Sequence, residues 1–315
     1  ADTALAERLV ADALAGAAEA GPGTDGSYTV TGERPPAERD PDARLLALPV
    51  AGVLPYLHVD IDDEDSLSGR FSRDTAAKLV DIAVIRLPRI SNFTDLGPFE
   101  RYENVSVRYV TSVRELGAPD CIVLPGTKST IGDLLWLRQS GLEAAVKQAA
   151  SRGTLLVGIC GGYQMLGREI ADPKGAEAAP EPRVAGMGLL EMDTVFQEEK
   201  VQTQTRGVFN PVEGLLAPLS GMAYEGYEIH MGRSGEVRPA LAGRGNVYGT
   251  YIHGVFDAPG VADAVLAALC EKKGADVSEL GSFDAEAYRE RQYDLLADAV
   301  RENLDMELVY RILNG

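Results

Sequence analysis

The segment that most constrains this chain is short. The apolar run Leu155-Leu156-Val157-Gly158-Ile159 leads directly into Cys160-Gly161-Gly162-Tyr163-Gln164-Met165-Leu166, a strand pattern followed at once by a helix pattern. Gly158 and Gly162 stand two residues either side of Cys160, the G-x-nucleophile-x-G spacing of a nucleophile elbow with cysteine in place of serine. The logic is steric. A sharp strand-to-helix turn holds the nucleophile in a strained backbone conformation, and small neighbours keep that turn from clashing. The turn also sets the sulfur at a helix amino terminus, where the partial positive charge favours thiolate. The N–H of Gly161, just after the nucleophile, then points where an oxyanion develops.

A thiolate that attacks an amide needs a group to take and return a proton, and histidine suits that task. The chain has three. His253 closes the apolar run NVYGTYIHGVFD between glycines and ranks first; His230, in GYEIHMGR, ranks second; His58, in a proline-broken segment, ranks third. The cysteines Cys121, Cys160 and Cys270 are too few and too scattered for a disulfide framework or a clustered zinc site, so a special cysteine here is chemical rather than structural.

From about residue 79 the runs DIAVIRL, VSVRYV, DCIVLPG and TLLVGIC alternate with helical stretches over 131–137 and 142–150. Short continuous apolar strands separated by helices predict an α/β fold with a mostly parallel sheet flanked by helices, its site at the strand carboxyl ends. Further strands are expected at GMGLLEM, GYEIHMG and NVYGTYIHGVF, and a helix over 261–270. Tyr293, Leu296, Ala297, Val300 and Leu304 repeat as one stripe of an amphipathic helix. Before all this, residues 4–15 read as a helix and about 16–43 as a flexible linker. Residues 172–182, DPKGAEAAPEP, read as an exposed loop.

A formal net charge of −18 repels nucleic acid and anionic membrane surfaces. No apolar run reaches the roughly 20 residues that span a bilayer, and the start lacks the basic and apolar parts of a signal peptide, so a cytoplasmic location is expected. The five acids in residues 60–65 could bind a cation through their carboxylates, but they lack the alternating spacing and central glycine of a calcium loop and read first as a solvated loop.

Gly158-Ile-Cys160-Gly-Gly-Tyr-Gln164-Met-Leu-Gly167 resembles the elbow of class I glutamine amidotransferases. With GVLPYLHVDIDDEDSL, IRLPRISNFTDLGPFE, LPGTKST, GYEIHMGR and GTYIHGVFD, the chain from about residue 49 onward is similar to the cobyric acid synthase family. The resemblance implies a flavodoxin-like glutaminase domain over 77–315 and, over 1–76, a partial α/β segment ending an ATP-dependent synthetase domain. It implies Cys160 as nucleophile, His253 as its partner, oxyanion N–H groups from Gly126 and Gly161, and Gln164 holding the substrate. Glutamine hydrolysis then needs no cofactor on this chain. ATP and Mg²⁺ serve the synthetase domain, joined in cis or in trans, where ammonia amidates adenosylcobyrinic acid a,c-diamide. Related glutaminases serving cobyrinic acid a,c-diamide synthesis or a cell-wall lipid precursor are the alternative, and a silent binding module a further one. Two residues past the histidine, where many class I enzymes carry a glutamate, stands Val255, so the resemblance is to a Cys-His dyad; Glu228 and Asp257 are the candidates to orient the ring. LPGTKST lacks the G-x-x-x-x-G-K spacing of a phosphate loop, and no such motif occurs in the chain.

Overall fold

The computed structural model describes residues 52, 54, 55, 57, 78–177, 181–235, 239–280 and 285–313. The helix expected over 4–15, the linker over about 16–43, His58 and the acids of 60–65 lie outside these residues. The chain divides into two compact units, Asp62–Tyr288 and Ala1–Ile61 with Arg289–Gly315.

In the larger unit the apolar runs become β1 (Val80–Ile85), β3 (Val105–Val110), β4 (Cys121–Leu124), β6 (Leu155–Ile159) and β12 (Val247–Thr250). They form a sheet in the order β12-β6-β4-β1-β3 with every neighbouring pair parallel, and β11 (Ala242–Arg244) adds an antiparallel edge beside β12. The strands read as continuous apolar runs because both faces are buried, and side chains sort by parity. Ile82, Val84, Cys121, Val123, Leu155 and Val157 join one core cluster. Ala83, Ile85, Ile122, Leu124 and Leu156 join the other. The helix Val261–Lys273 covers the first face with Val261, Val265, Leu266 and Leu269. The helices Thr130–Gln139 and Leu142–Ser151 cover the second with Ile131, Leu134, Leu137, Leu142 and Val146.

A second, largely antiparallel sheet was not anticipated as a sheet. It runs β13-β10-β9-β7-β8, from β7 (Glu169–Ala171), β8 (Arg183–Ala185), β9 (Asp193–Val208), β10 (Ala223–Ser234) and β13 (Ile252–His253), with only β7 and β9 parallel. The expected strand at GMGLLEM does not form. Gly188 takes φ +67, and the N–H groups of Met187, Gly188, Leu189 and Leu190 bond to carbonyls of Met165, Gly167 and Leu166. These residues satisfy the open carboxyl end of the helix after the elbow instead of a strand ladder. A small ribbon pairs β2 (Ile90–Ser91) with β5 (Gly126–Thr127).

In the smaller unit, part of the helix Ala285–Asn303 and the helix Met306–Leu313 are described. Asp305 accepts the Leu308 N–H at 3.0 Å and caps the second helix. Along the predicted stripe Leu296, Ala297 and Val300 are half-buried, while Tyr293 is exposed.

Candidate active site

Cys160 follows β6 at φ 50, ψ −107, and the helix Gly161–Leu166 begins at the next residue. Among the described residues only Cys160 and Asn92 combine a side chain with positive φ. Such a conformation costs about 1–3 kcal/mol and persists only where its surroundings enforce it. Enforcement is visible on both sides. The Cys160 N–H donates to Thr250 O at 2.8 Å, and its carbonyl accepts from Gln164 N at 3.0 Å. The flanking glycines have no spare room: a Cβ on Gly162 would lie 1.9 Å from Leu124 O, and one on Gly158 would lie 2.7 Å from the Gly162 carbonyl. Gly162→Ala should therefore force the elbow off β4. Overpacking of this kind costs about 3 kcal/mol, and we expect a melting temperature lower by about 6–12 °C together with lost hydrolysis, read by thermal denaturation and a glutamate assay.

His253 ends β13, and only 1% of it is exposed. Its Nδ1 lies 2.8 Å from Asp95 Oδ2, while Asp95 Oδ1 accepts the Gly254 N–H at 2.8 Å. A carboxylate there accepts from Nδ1–H, which leaves Nε2 for chemistry. Nε2 is buried without a hydrogen-bond partner at ordinary distance. Burial pushes the pKa of the ring down, but the Asp95 charge, its hydrogen bond and the Cys160 sulfur outweigh burial and raise it to about 10. Tyr227 stacks on the ring at 5.2 Å between centroids, and its hydroxyl accepts from Asn92 Nδ2 at 2.6 Å.

Nδ1 of this ring is held by neither of the two candidate acids. Glu228 binds His230 Nε2 at 3.0 Å, and Asp257 stands 3.9 Å from Arg101. Asp95 replaces them and adds a third member to the expected dyad. Sequence reasoning missed it because it lies 158 positions from His253, on a short 3-10 helix, Phe93–Leu96. Its signal was an acid between apolar residues in FTDLGPF, a place where an unpaired charge is costly. His230 is buried and committed to Glu228 and to Gly232 O, with its ring 3.9 Å from that of Tyr251.

Gly126 stands beside the base: a Cβ there would lie 3.2 Å from His253 Cε1. A Cβ on Gly161 would lie 2.6 Å from Thr127 Cγ2 and 3.3 Å from Thr127 N, so the Gly126-Thr127 backbone lies against the elbow. Gln164 is buried; its Oε1 accepts from Thr130 Oγ1 at 2.9 Å, and its Nε2 donates to the Tyr251 hydroxyl at 3.3 Å. The structure thus brings together Cys160, His253, Gly126, Gly161 and Gln164 from β6, β13, β5 and the elbow helix. The loop after β7 is more than exposed chain. Asp172 accepts from Ala176 N and Glu177 N, and Glu177 accepts from Thr130 N and Ile131 N, capping the helix beside Gln164. Burial raises the Glu177 pKa.

Residues 81–261 match the model of the CobB/CobQ-like glutamine amidotransferase domain. A cobyric acid synthase of Ruminiclostridium cellulolyticum is 49% identical over 288 residues, covering 85% of this chain and 56% of that protein. One of Lachnoclostridium phytofermentans is 50% identical over 294 residues, covering 85% of this chain and 57% of that protein. The chain thus spans a little over half the length of these relatives. The solved PurLQS of Thermotoga maritima overlays with a TM-score of 0.44 at 20% identity, covering 60% of this chain and 99% of that one. With the domain model matched from the first strand of the sheet past His253, the chain belongs to the CobB/CobQ-like glutamine amidotransferase family.

Proposed function

We propose that this chain is the glutaminase part of a cobyric acid synthase, with Cys160 as nucleophile and His253 as the proton carrier. The observation that supports the chemistry best is a cysteine at positive φ on a glycine-walled turn, coupled to a buried imidazole that a carboxylate holds protonated. The similarity to cobyric acid synthases supports the corrinoid destination.

In this reading Cys160 attacks as its thiolate, the nucleophilic form of cysteine, and the buried ring beside it already holds the proton that the leaving nitrogen needs. A carbon–sulfur bond forms at the side-chain amide of glutamine, and the oxyanion accepts from the N–H groups of Gly126 and Gly161. The imidazolium gives its proton to the departing nitrogen, the carbon–nitrogen bond breaks, and ammonia leaves. Once the sulfur is bound as a thioester its negative charge is gone, which removes one support for the protonated ring. The neutral imidazole then takes a proton from water, hydroxide attacks, and the carbon–sulfur bond breaks to give glutamate and the starting ion pair. Gln164 helps hold the glutamine.

The ammonia passes to an ATP-dependent synthetase part, in cis or in trans, for amidation of adenosylcobyrinic acid a,c-diamide to adenosylcobyric acid in the cytoplasm. ATP and Mg²⁺ belong to that part. Among the described residues no group of three His, Cys, Asp or Glu side chains is placed to hold a metal ion, and no helix is long and apolar enough to cross a membrane. The test is to incubate the chain with glutamine, alone and with the synthetase part, ATP, Mg²⁺ and the diamide. We expect glutamate release, and corrinoid amidation only in the full mixture. Absence of glutamate under both conditions overturns the reading.

A further inference from the structure

The mechanism leaves one fully buried carboxylate beside the site unused, Asp133, in the first turn of the helix Thr130–Gln139. It accepts three hydrogen bonds. Thr127 Oγ1 donates to Oδ2 at 2.6 Å, Arg89 N donates to Oδ2 at 3.0 Å, and Arg89 Nη1 donates to Oδ1 at 3.0 Å. A helix amino terminus favours an acid in this turn, but burying a charge is costly and an apolar residue would fill the space. What the carboxylate adds is a tie between two segments. It joins Arg89, just before β2, to Thr127 in β5, and the Lys128 N–H bonded to Arg89 O at 3.0 Å runs alongside.

Thr127 is the residue between the two expected oxyanion donors. It follows Gly126 in the chain, and its γ-methyl and N–H lie against Gly161. Being β-branched, it has few rotamers, and a hydroxyl fixed on Asp133 sets where its methyl goes. Its backbone and Gly126 must then keep one distance from the elbow. An oxyanion hole works only if its donors stay 2.7–3.1 Å from where the oxygen will be, so small displacements are expensive.

We propose that Asp133 is a positioning residue for glutamine hydrolysis, locking Thr127 so that the Gly126-Thr127 backbone keeps its place against Gly161, where the oxyanion develops; this rests on the glutaminase reading above. The distinguishing test compares two reactions of Cys160 in the same preparations. Hydrolysis of glutamine develops an oxyanion. Alkylation by iodoacetamide does not, since a sulfur–carbon bond forms as iodide leaves with its electron pair. For Asp133→Asn and Thr127→Val we expect kcat lower by about 10- to 10²-fold, below the 10²–10³ for deleting a whole donor. KM and the alkylation rate should stay within about threefold. Thr127→Ser, which keeps the hydroxyl, should recover most of kcat. Thr127→Val preserves side-chain shape and carries the test if Asp133→Asn does not fold. A kcat within twofold of the parent in Thr127→Val, or equal losses in hydrolysis and alkylation, overturns the positioning role while leaving the glutaminase reading intact. A parent chain that alkylates but releases no glutamate removes that reading, and this one with it.

Discussion

Replacing Cys160 by alanine lowers glutamate release from glutamine by at least about 10²-fold, the least expected for removing a nucleophile, and His253→Ala does the same. The two losses should not multiply. Cys160→Ala combined with His253→Ala should be close to either variant alone, because one thiolate–imidazolium pair acts as a unit. The fold is not expected to suffer in Cys160→Ala. Alanine does not relieve the φ of 50, and deleting the sulfur gives up its 3.6 Å contact to Ile229 O and its interaction with His253, while the backbone bonds that hold the turn stay. Melting curves alongside the assay separate lost chemistry from lost structure. Wild-type release from either single variant would remove that residue from the mechanism.

The second large effect is expected at Asp95. In Asp95→Asn the main support for the protonated ring goes, and burial, the largest influence on His253, is no longer outweighed. The ring pKa then falls from about 10 toward or below its ordinary 6.5. At neutral pH the base starts without the proton that the leaving nitrogen needs. We expect kcat at pH 7.5 to drop about 10²-fold and partly recover as pH is lowered, with the alkaline limb of the rate profile moved from near pH 10 to below about pH 7. Stability supplies an independent reading. A folded pKa above the unfolded one gives stabilisation that is complete below about pH 6.5 and is lost as pH rises through about 10. The parent should soften over that window, and Asp95→Asn should lack that part of the slope. A variant whose alkaline limb stays near pH 10 would show that Asp95 does not control the ring.

The contrast between Cys160 and Asp95 shows what was legible in the sequence. The elbow is written within twelve consecutive residues, because strand, turn glycines and helix are all local, and β1, β3, β4 and β6 emerge near where apolar runs predict them. His253 could be ranked first from its place at a strand end. Asp95 offered only the weak signal of an acid in an otherwise apolar stretch; it is recruited through a left-handed Asn92 at φ 53 and a partner 158 positions away. The same holds for Asp133, whose ligands come from 6 and 44 positions away. The failed strand at GMGLLEM has a tertiary cause, since its N–H groups are taken by the end of the elbow helix. The second sheet stayed unread because β9 alternates buried and exposed positions only over its first few residues.

The carbonyl of Thr250 that holds the Cys160 N–H belongs to the same late stretch of chain as His253. While the polypeptide is being synthesised, the reactive sulfur is therefore made long before the groups that set its turn and move its proton. A ribosome-bound chain that ends before this stretch carries the thiol but cannot spend the cell's glutamine. Catalytic competence switches on only when β12 closes against β6 and β13 against β10, which makes glutamate release a reporter of late folding.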